Sequence, residues 1–519
     1  MYETGVVYLA GTGTGDPSML TVRCLEVLGR AEVIVFEPSL SDDIQELFPV
    51  GCERIPIEPG GVGASGVLVD RAEEGKSVVR LYWGDPYNWG GSVDEAKALT
   101  REGIPFEVVP GMMPPLAAAT FAGIPLKTNS EVGGITILKF PLFNGARLRD
   151  SACCQLANEG STLAFMTDTD SIVNLISELI AGGVPAAIPV AIVEGGGAPS
   201  QRVIESTLEA APDASEVGVP SAPCVAIVGE VARLRCELNW FEGRPLHGRR
   251  ILITRPREQA DRFARVLDEL GVDSIVAPTI RIMPPDDWSP LDAALSELDS
   301  YHWVIFTSAN GVRFFAERLL SSGLDARSFA KGVKILAIGP ATAHALENIL
   351  RLKADGVPET YVAEGILEMM SDEALAGKQV LIPRALEARE MLPETLSERG
   401  AVVNVVTAYQ TLPADVSDVN RMREAISSSR IEMVTFTSSS TVRNFAEMLG
   451  EDFIESSMGR VVVASIGPVT SETAREVGLD PHVEAEVSTI PGLARAIVDF
   501  YRFNPSVDWS DPAPWVGTH

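Results

Sequence analysis

The segment FTSANGVRFFAERL (306–319) recurs as FTSSSTVRNFAEML (436–449), 130 residues further along the chain, with nine of fourteen positions identical. Two more segments repeat at nearly the same offset. AIGPATAHAL (337–346) returns as SIGPVTSETA (465–474), and ILITRP (251–256) has the weaker echo VLIPRA (380–385). Three echoes in one order predict two similar α/β subdomains, and the period is far too long for a solenoid. A cleft between two such lobes is the expected ligand site.

The residues before about 240 alternate apolar strands with turns rich in Gly, Pro or Asp, and this pattern predicts a further α/β region. The strand candidates are GVVYLAG, EVIVFE, SVVRLYWGDP, FEVVPGM, GITILKF, STLAFMTDT and IPVAIVEGGG. The segment SMLTVRCLEVLGRA has helical spacing, with Ser18 as the expected N-cap. In sheets of this class, ligand sites gather where the strands end.

A seam in WFEGRPLHG (240–248) separates the two regions, because the strand pattern restarts after it with RRILITRP. We expect a first domain over 1–241, a linker over 242–247, a second domain over 248–502 and a Pro-rich tail over 503–519. Within the second domain we expect one lobe from 248–280 plus 410–502 and the other from 281–409. The expected fold class is α/β, with a two-part first domain followed by two lobes built on parallel sheets.

Composition and charge exclude several classes of protein. A chain of 519 residues with net charge −29 predicts several domains and a surface that repels nucleic acid and anionic lipid. The six cysteines form no CxxC pair and the five histidines no HxH or HxxxH, so we expect reduced thiols and no metal site. The N-terminus lacks the basic region of a signal peptide, and no segment approaches roughly 20 apolar residues. We therefore expect a cytoplasmic protein without membrane partners.

The glycine-rich stretch AGTGTGDPSMLT (10–21) follows the first strand candidate. Its G-x-G-x-G spacing differs from the G-x-G-x-x-G of dinucleotide sites, and no Gly-Lys-Ser/Thr of a P-loop is present. The carboxylate of Asp16 would repel a phosphate at the start of the next helix. The glycines therefore indicate either close approach to a ligand without strong negative charge or a tight structural turn.

Residues 4–241 resemble the tetrapyrrole methylase family, and the uroporphyrinogen-III C-methyltransferases in particular. The resemblance rests on GxGxGDPxxLTxRxLxxLxxAxVIV, GKxVVRLxxGDP, GIPFEVVPG, AGIPL and the closing NWF. It implies binding of S-adenosylmethionine, methylation of a reduced tetrapyrrole ring and a homodimer formed through this domain. The cofactor-binding residues that it implies, if binding is retained, are Gly13, Thr14, Gly84, Asp85, Met113, Met166 and Gly196.

Several loop positions depart from the family pattern. Thr14 replaces a proline, Trp83 and Asn88 change the second loop, Met113 and Pro114 replace small residues, and Lys127-Thr128-Asn129 replaces a basic THR segment. The family's ligand-facing methionine is displaced by one position or replaced by Thr167. These changes indicate a methylase fold with impaired, lost or altered catalysis. We expect the first loop to keep its turn without binding S-adenosylmethionine, and Trp83 to fill the cleft between the Gly13 and Gly84 loops.

Residues 248–502 resemble uroporphyrinogen-III synthase through ILITRP, VIFTSANGV, AIGPATA, VLIPRA, GAVVNVVTAY, VTFTSSSTVRNF and SIGPVTSETAREVGL. The resemblance implies cyclisation of hydroxymethylbilane to uroporphyrinogen III without a cofactor, with Tyr409 as proton donor to the departing hydroxyl. Hydroxyls, helix-start amides and arginines would hold the carboxylates of the substrate. The expected substrate-binding residues are Thr254, Arg255, Ser308, Asn310, Thr342, Arg384, Thr437, Ser438, Ser439 and Thr470.

Each of these residues also has a plain structural interpretation. Serines at helix starts are usually N-caps, the arginines suit surface ion pairs, and a tyrosine with a satisfied hydroxyl is usual in a core. Three hypotheses follow for the whole chain. It is a synthase with a degenerate methylase domain, a bifunctional enzyme that also methylates its product to precorrin-2, or a non-catalytic tetrapyrrole-binding scaffold.

Overall fold

The computed structural model describes residues 5–58, 63–88, 91–128, 133–142, 146–210, 223–360, 362–387, 391–428 and 431–504, without the side chains at 257 and 258. Asn129 and residues 505–519 of the expected tail lie outside this part of the chain. The chain forms two compact units. Unit 1 comprises Met1–Arg249 and Leu267–Asp273, and unit 2 comprises Arg250–Val266 and Ser274–His519.

Unit 1 begins with a five-stranded sheet that is parallel throughout, in the order β3-β2-β4-β1-β5. Its strands are β1 (Val7–Gly11), β2 (Val33–Phe36), β3 (Glu53–Pro56), β4 (Val78–Tyr82) and β5 (Phe106–Val109). Its helices are α1 (Val22–Leu28), α2 (Asp42–Gln45), α3 (Ala64–Glu73) and α4 (Val93–Arg101). Apolar clusters cover both faces of the sheet, which explains why its central strands are continuous apolar runs.

The start of α1 differs from the sequence expectation. Ser18 lies in a short 3₁₀ turn, Pro17–Met19, which is capped by the Asp16 carboxylate. Thr21 caps α1, because its hydroxyl accepts a hydrogen bond from the Cys24 amide at 3.1 Å. The Asp-Pro pair thus forms its own turn before the helix begins.

The second part of unit 1 is a mixed sheet in the order β6-β7-β10-β8-β9, in which β6 and β7 are parallel and the other pairs antiparallel. Its strands are β6 (Ile135–Lys139), β7 (Thr162–Asp168), β8 (Pro189–Glu194), β9 (Arg202–Thr207) and β10 (Pro223–Val228). The accompanying helices are α5 (Pro114–Phe121), α6 (Ala152–Asn158), α7 (Ile172–Ala181) and α8 (Arg235–Leu238). Helix α5 packs on this sheet through Ala118 and Ala119.

From Arg250 onward, the described residues form ten strands and eleven α-helices, and all of them belong to unit 2 except the end of α9 and the first residue of β12. The strands are β11 (Arg250–Ile253), β12 (Asp273–Val276), β13 (Ile280–Met283), β14 (Trp303–Phe306), β15 (Lys334–Ala337), β16 (Gln379–Ala385), β17 (Val402–Pro413), β18 (Met433–Phe436), β19 (Val462–Ser465) and β20 (Pro481–Glu484). The helices are α9 (Arg257–Glu269), α10 (Ser289–Ser296), α11 (Ala309–Ser321), α12 (Pro340–Ala345), α13 (Ala363–Met369), α14 (Met391–Glu398), α15 (Val416–Ser427), α16 (Ser439–Leu449), α17 (Glu451–Ser457), α18 (Pro468–Glu476) and α19 (Ile490–Phe503).

These strands form two sheets, which define two lobes. Lobe one has the order β12-β11-β18-β19-β20, and lobe two has the order β13-β17-β16-β14-β15. The repeated segments occupy matching places, because β11-β18-β19 corresponds strand for strand to β16-β14-β15. The predicted pair of similar α/β subdomains is confirmed. Lobe two runs without interruption from β13 to β17, between two parts of lobe one.

One strand departs from the expected parallel pattern. The edge strand β13 pairs antiparallel with β17, with Ile280 opposite Pro413 and Met283 opposite Gln410. A four-residue strand with three apolar residues carries no signal of strand direction, so its orientation could not be predicted from the sequence. Within the part of the chain that the structure describes, no helix is long and apolar enough to cross a membrane.

Candidate functional site

Three glycine turns meet backbone to backbone where β1, β4 and β5 end. Gly13 and Gly84 exchange two backbone hydrogen bonds, of 3.2 and 2.8 Å. A side chain on Gly11 or Gly111 would collide with the Gly84 carbonyl oxygen. Gly13 and Gly84 have positive φ angles of 63° and 72°. Only glycine fits such a junction, so the tight turn inferred from the opening loop is present.

Asp85 fastens two of these turns together. Its Oδ1 accepts hydrogen bonds from the amides of Tyr87 and Asn88 and from the Asn88 side chain, at 3.1, 2.9 and 2.8 Å. Its Oδ2 accepts from the Gly111 amide at 3.2 Å. Both carboxylate oxygens therefore accept hydrogen bonds from the loops. Asp85 would contribute to ligand binding by holding the loops in place.

The first loop offers one hydroxyl to a ligand. The Oγ1 of Thr14 is buried and has no hydrogen-bond partner among the described residues. A side chain at the neighbouring Gly13 would approach the Cβ of Met112 to 3.3 Å. A buried hydroxyl without a partner costs free energy, so a polar group at this point would be favourable.

The third loop leads into α5, whose first turn lacks free amides. Met113 occupies the N-cap position, and Pro114 and Pro115 follow it without amide hydrogens. The next two amides, of Leu116 and Ala117, both donate to the Met113 carbonyl at 3.0 and 3.1 Å. A helix start normally presents several unbonded N–H groups. At α5 these donors are either missing or already bonded.

Met166 and Gly196 support α5 from the second sheet. Met166 is buried among Ala118, Val225 and their neighbours. A Cβ on Gly196 would lie 2.7 Å from the Cβ of Ala118, so this glycine permits close packing of the helix. Both residues therefore support the helix that follows the third loop.

Trp83 lies between β4 and Gly84, at the second loop. Its side chain is 40% exposed, and its placement in the cleft between the Gly13 and Gly84 turns stays a prediction.

In unit 2, Tyr409 lies on β17 in a small aromatic cluster of lobe two. Its hydroxyl is 3.1 Å from the Oγ of Ser308, and its ring stacks on Phe314 with a centroid distance of 5.9 Å and an interplanar angle of 13°. The side chain is 8% exposed. The guanidinium carbon of Arg313 lies 4.5 Å from the ring centroid of Phe314.

Phe314 belongs to this site although it is not among the residues predicted from the sequence. The repeat contains a signal for it, because Phe314 aligns with Asn444, one of the five positions at which the two segments differ. A position that differs between otherwise similar lobes marks a role found in one lobe. The stacking of Tyr409 on Phe314 is such a role.

The predicted serines begin matching helices in the two lobes. Ser308 caps α11 and Ser438 caps α16, with backbone angles of −163°, 155° and −165°, 157°. Ser308 accepts from the Gly311 amide at 2.9 Å, and Ser438 from the Thr441 amide at 3.3 Å. The N-cap interpretation is therefore correct for both serines, and it is compatible with a second role for each.

Their neighbours are more varied. Asn310 and Thr437 are partly exposed next to the capping serines. The hydroxyl of Ser439 donates to the Val469 carbonyl at 3.3 Å and accepts from Thr473 at 2.8 Å. Ser439 therefore ties α16 to α18 in addition to facing the helix start.

Three predicted threonines lie in the interior of the lobes. Thr254 is fully buried, and its hydroxyl donates to the Thr435 carbonyl at 2.8 Å. Thr342 and Thr470 are also buried, in the first turns of α12 and α18. The hydroxyl of Thr254 is therefore used inside the lobe, and binding of the substrate by these three threonines stays a prediction.

The two predicted arginines have different surroundings. Arg255 follows β11, is half-buried, and donates to the neutral Gln259 side chain at 3.0 Å. Burial lowers the pKa of its guanidinium, and no acidic side chain among the described residues offsets this. Arg384 is buried in β16, next to a bulge in the pairing with β17.

Among the described residues, no cluster of three or more His, Cys, Asp or Glu could hold a metal ion.

Each unit matches the model of a known protein family. The model of the Tetrapyrrole (Corrin/Porphyrin) Methylases matches residues 6–212, and that of Uroporphyrinogen-III synthase HemD matches residues 261–495. Fold and motifs together define a two-domain protein of tetrapyrrole biosynthesis. The chain belongs to the family of the porphyrin biosynthesis protein HemD of Ruminiclostridium josui, with 30% identity over 507 residues, 96% of this chain and 98% of that protein.

Two further similarities concern the first unit. Siroheme synthase of Vesicomyosocius okutanii subsp. Calyptogena okutanii is 34% identical over 257 residues, 48% of this chain and 54% of that protein. The uroporphyrin-III C-methyltransferase of Thermus thermophilus, solved in complex with S-adenosylhomocysteine, is 28% identical and has a TM-score of 0.37. That match covers 44% of this chain and 100% of the solved chain.

Proposed function

We propose that unit 2 is a uroporphyrinogen-III synthase, which cyclises hydroxymethylbilane with inversion of its last pyrrole ring. The observation that carries this proposal is the placement of the Tyr409 hydroxyl beside Ser308, at the start of α11. Membership of the HemD family supports it. The reaction needs no cofactor, and we propose a cytoplasmic location for it.

Tyr409 donates its proton to the hydroxyl of the substrate's hydroxymethyl group. The C–O bond breaks with its electron pair on oxygen, water leaves, and the pyrrole electrons form an azafulvene. The last ring attacks through its substituted carbon, and the resulting spiro intermediate reopens and closes in the inverted orientation. The final ring carbon loses a proton, which restores the tyrosine. A positioned acid of this kind contributes about 10²–10⁴-fold to the rate.

The same lobes supply groups for the substrate carboxylates. Arg255 is a half-buried cation, and its described partner is the neutral Gln259. The partly exposed Asn310 and Thr437 lie at the helix starts, where donors favour anions. We propose that these groups fold a flexible polyanion into a reactive shape, which is the main demand of the reaction.

For unit 1 we propose a methylase scaffold that has lost useful affinity for S-adenosylmethionine. The support comes from α5, where Pro114 and Pro115 remove two amides and Met113 replaces a small residue. The loss of a buried hydrogen bond costs roughly 1 to 3 kcal/mol. Two such losses lower affinity about thirtyfold or more. What remains is a structural role, with homodimerisation through this domain.

A bifunctional enzyme is the second candidate. It would methylate uroporphyrinogen III to precorrin-2. Three observations favour it: the glycine junction is intact, Trp83 remains exposed, and the hydroxyl of Thr14 lacks a partner among the described residues.

Two measurements on the full chain test these proposals. We expect hydroxymethylbilane to be converted to the type III isomer, and Tyr409→Phe to lower kcat about tenfold to a hundredfold. If only the spontaneously formed type I isomer appears while tetrapyrrole still binds, the chain is a scaffold. Calorimetry with S-adenosylmethionine separates the other two candidates, because a micromolar dissociation constant would establish the bifunctional enzyme.

A further inference from the structure

We propose that Ser308 is a positioning residue that directs the Tyr409 proton toward the substrate, and this inference rests on the proposed synthase function. The evidence is the pair of hydrogen bonds that converge on one oxygen. The Oγ of Ser308 lies 2.9 Å from the Gly311 amide nitrogen and 3.1 Å from the Tyr409 hydroxyl.

The number of protons at this oxygen limits the arrangement. A serine hydroxyl has one hydrogen to donate and two lone pairs. The Gly311 amide occupies one lone pair, and two arrangements with Tyr409 remain. If the tyrosine donates to Ser308, its proton is directed into the protein. If Ser308 donates to the tyrosine oxygen, the tyrosine proton is free to meet the departing hydroxyl of the substrate.

The start of α11 favours the second arrangement. A hydroxyl that accepts a hydrogen bond becomes a stronger donor, because hydrogen bonds in a chain polarise one another. Ser308 accepts from an amide at the positive end of a 13-residue helix. As Tyr409 gives up its proton, negative charge develops on its oxygen, and the Ser308 hydroxyl stabilises that charge.

The aromatic stack keeps the tyrosine in place for this transfer. The Tyr409 ring is nearly parallel to that of Phe314, at 13°, and both side chains belong to the same buried cluster. The phenol therefore remains beside Ser308 when its proton leaves. The orientation of the proton depends on the serine, and the position of the ring depends on the stack.

Lobe one shows that the cap alone does not create this arrangement. Ser438 has nearly the same backbone angles as Ser308 and caps its helix in the same way. Its hydroxyl lies 3.0 Å from that of Ser440, and Asn444 stands where lobe two has Phe314. Both lobes therefore have the capping serine, and the contact of that serine with a tyrosine is seen in lobe two.

A double-mutant cycle on the full chain tests the inference. We expect Ser308→Ala to lower kcat about tenfold, with KM changed less than about twofold. In the Tyr409→Phe background, the same substitution should change kcat by less than about twofold, because the group through which it acts is gone. Ser308→Thr should restore most of the rate, since it keeps both the hydroxyl and the cap.

Ser308→Asp separates the cap from the donor. Aspartate is an excellent N-cap but has no proton to give when ionised, so we expect a folded protein with kcat lowered as in Ser308→Ala. The matched control is Thr489→Ala, which removes the cap of α19, where Thr489 accepts from the Gly492 amide at 3.1 Å. This variant should lower the melting temperature and leave kcat unchanged.

The outcomes are distinct. Equal losses of kcat from Ser308→Ala in both backgrounds would overturn the inference, as would a normal kcat in Ser308→Asp. A wild-type chain that forms no type III isomer would overturn the synthase function, and the inference with it, before any variant is compared.

Discussion

The amide of Gly111 donates to the carboxylate of Asp85 at 3.2 Å, and this bond joins the turn after β5 to the turn after β4. Because the other carboxylate oxygen binds the amides of Tyr87 and Asn88, one side chain fixes two loops without any ligand. The loops of the methylase fold are therefore held by the protein itself. Their shape is compatible with retained or lost cofactor binding.

Replacing Asp85 should loosen this junction. We expect Asp85→Ala to accelerate hydrogen–deuterium exchange around Gly84 and Gly111 and to lower the stability of unit 1 by about 1 to 3 kcal/mol, because buried amides lose their acceptor. Asp94→Ala is the control, since Asp94 is exposed and contacts only Lys97 among its described partners. Equal exchange in the two variants would show that the carboxylate does not hold the loops.

Restoring an amide at α5 should improve cofactor affinity. Pro114→Ala returns one N–H to the first turn, and we expect the dissociation constant for S-adenosylmethionine to fall about fivefold to tenfold. Titration calorimetry of the full chain measures this change. Pro185→Ala, in the turn between α7 and β8, is the matched control. An unchanged constant in Pro114→Ala would remove this helix start from the explanation for lost binding.

Arg255 should matter more to the substrate than to the fold. Partial burial already disfavours the charged form of Arg255, and its described side-chain partner is neutral, so Arg255→Met should leave the free energy of unfolding unchanged or higher. The same variant should raise KM for hydroxymethylbilane by about tenfold or more, because a hydrogen bond to a charged carboxylate is lost. Arg327→Met, at an exposed ion pair with Asp325, should change neither quantity. A fall in stability without a change in KM would make Arg255 structural.

The cysteines should differ in reactivity and in their dependence on pH. Burial raises the pKa of the Cys24 thiol to about 11 and is the main cause that raises that of Cys224 to about 12. Since the thiolate is the reactive form, we expect Cys236, which is exposed, to be labelled first in the native protein. Cys24 and Cys224 should react only after unfolding.

The same shifts predict the direction of alkaline destabilisation. A thiol whose pKa is raised by folding contributes stability that is complete below about pH 9 and is lost as the pH rises toward 11 and 12. Urea unfolding at pH 8 and pH 10.5 should show this loss, and Cys24→Ala with Cys224→Ala should reduce it. A Cys236→Ala control should keep the wild-type dependence. A flat profile in the wild type would contradict the assignment.

Much of the fold could be predicted because its signals are local. Apolar runs that end in turns rich in Gly, Pro or Asp identified β1, β2, β4, β5, β6, β7 and β8, and the repeat identified the two similar lobes. The strands β3 and β9 consist of partly exposed and exposed residues, so they lacked the continuous apolar run of the strands just named. The strand β10 was missed although most of it is buried and apolar. The direction of β13 depends on its pairing with β17, which is a contact between distant residues.

The candidate site was less predictable because motifs do not state which way a side chain points. Ser308 could be placed at a helix start from sequence alone, while its contact with Tyr409 joins residues 101 positions apart. Thr254 shares the same type of motif yet turns into the core toward Thr435. The capping pattern gives the position along the chain, and tertiary packing decides which hydroxyls remain accessible.

The insertion of lobe two within lobe one sets the order in which the chain can fold during synthesis. Within lobe one, β11 and β12 are synthesised before any part of lobe two, and the hydroxyl of Thr254 donates to a carbonyl that is synthesised 181 residues later. Between these two events the chain synthesises β14 and the start of α11, whose sequence closely resembles that of β18 and the start of α16. The native partner of β11 is β18. Correct folding therefore requires β11 to pass over the first copy and pair with the second, β18. Pairing of β11 with the earlier copy, β14, would be a misassembly of the kind characteristic of repeated and multidomain chains, so the duplicated sequence adds a competing contact to the folding of lobe one.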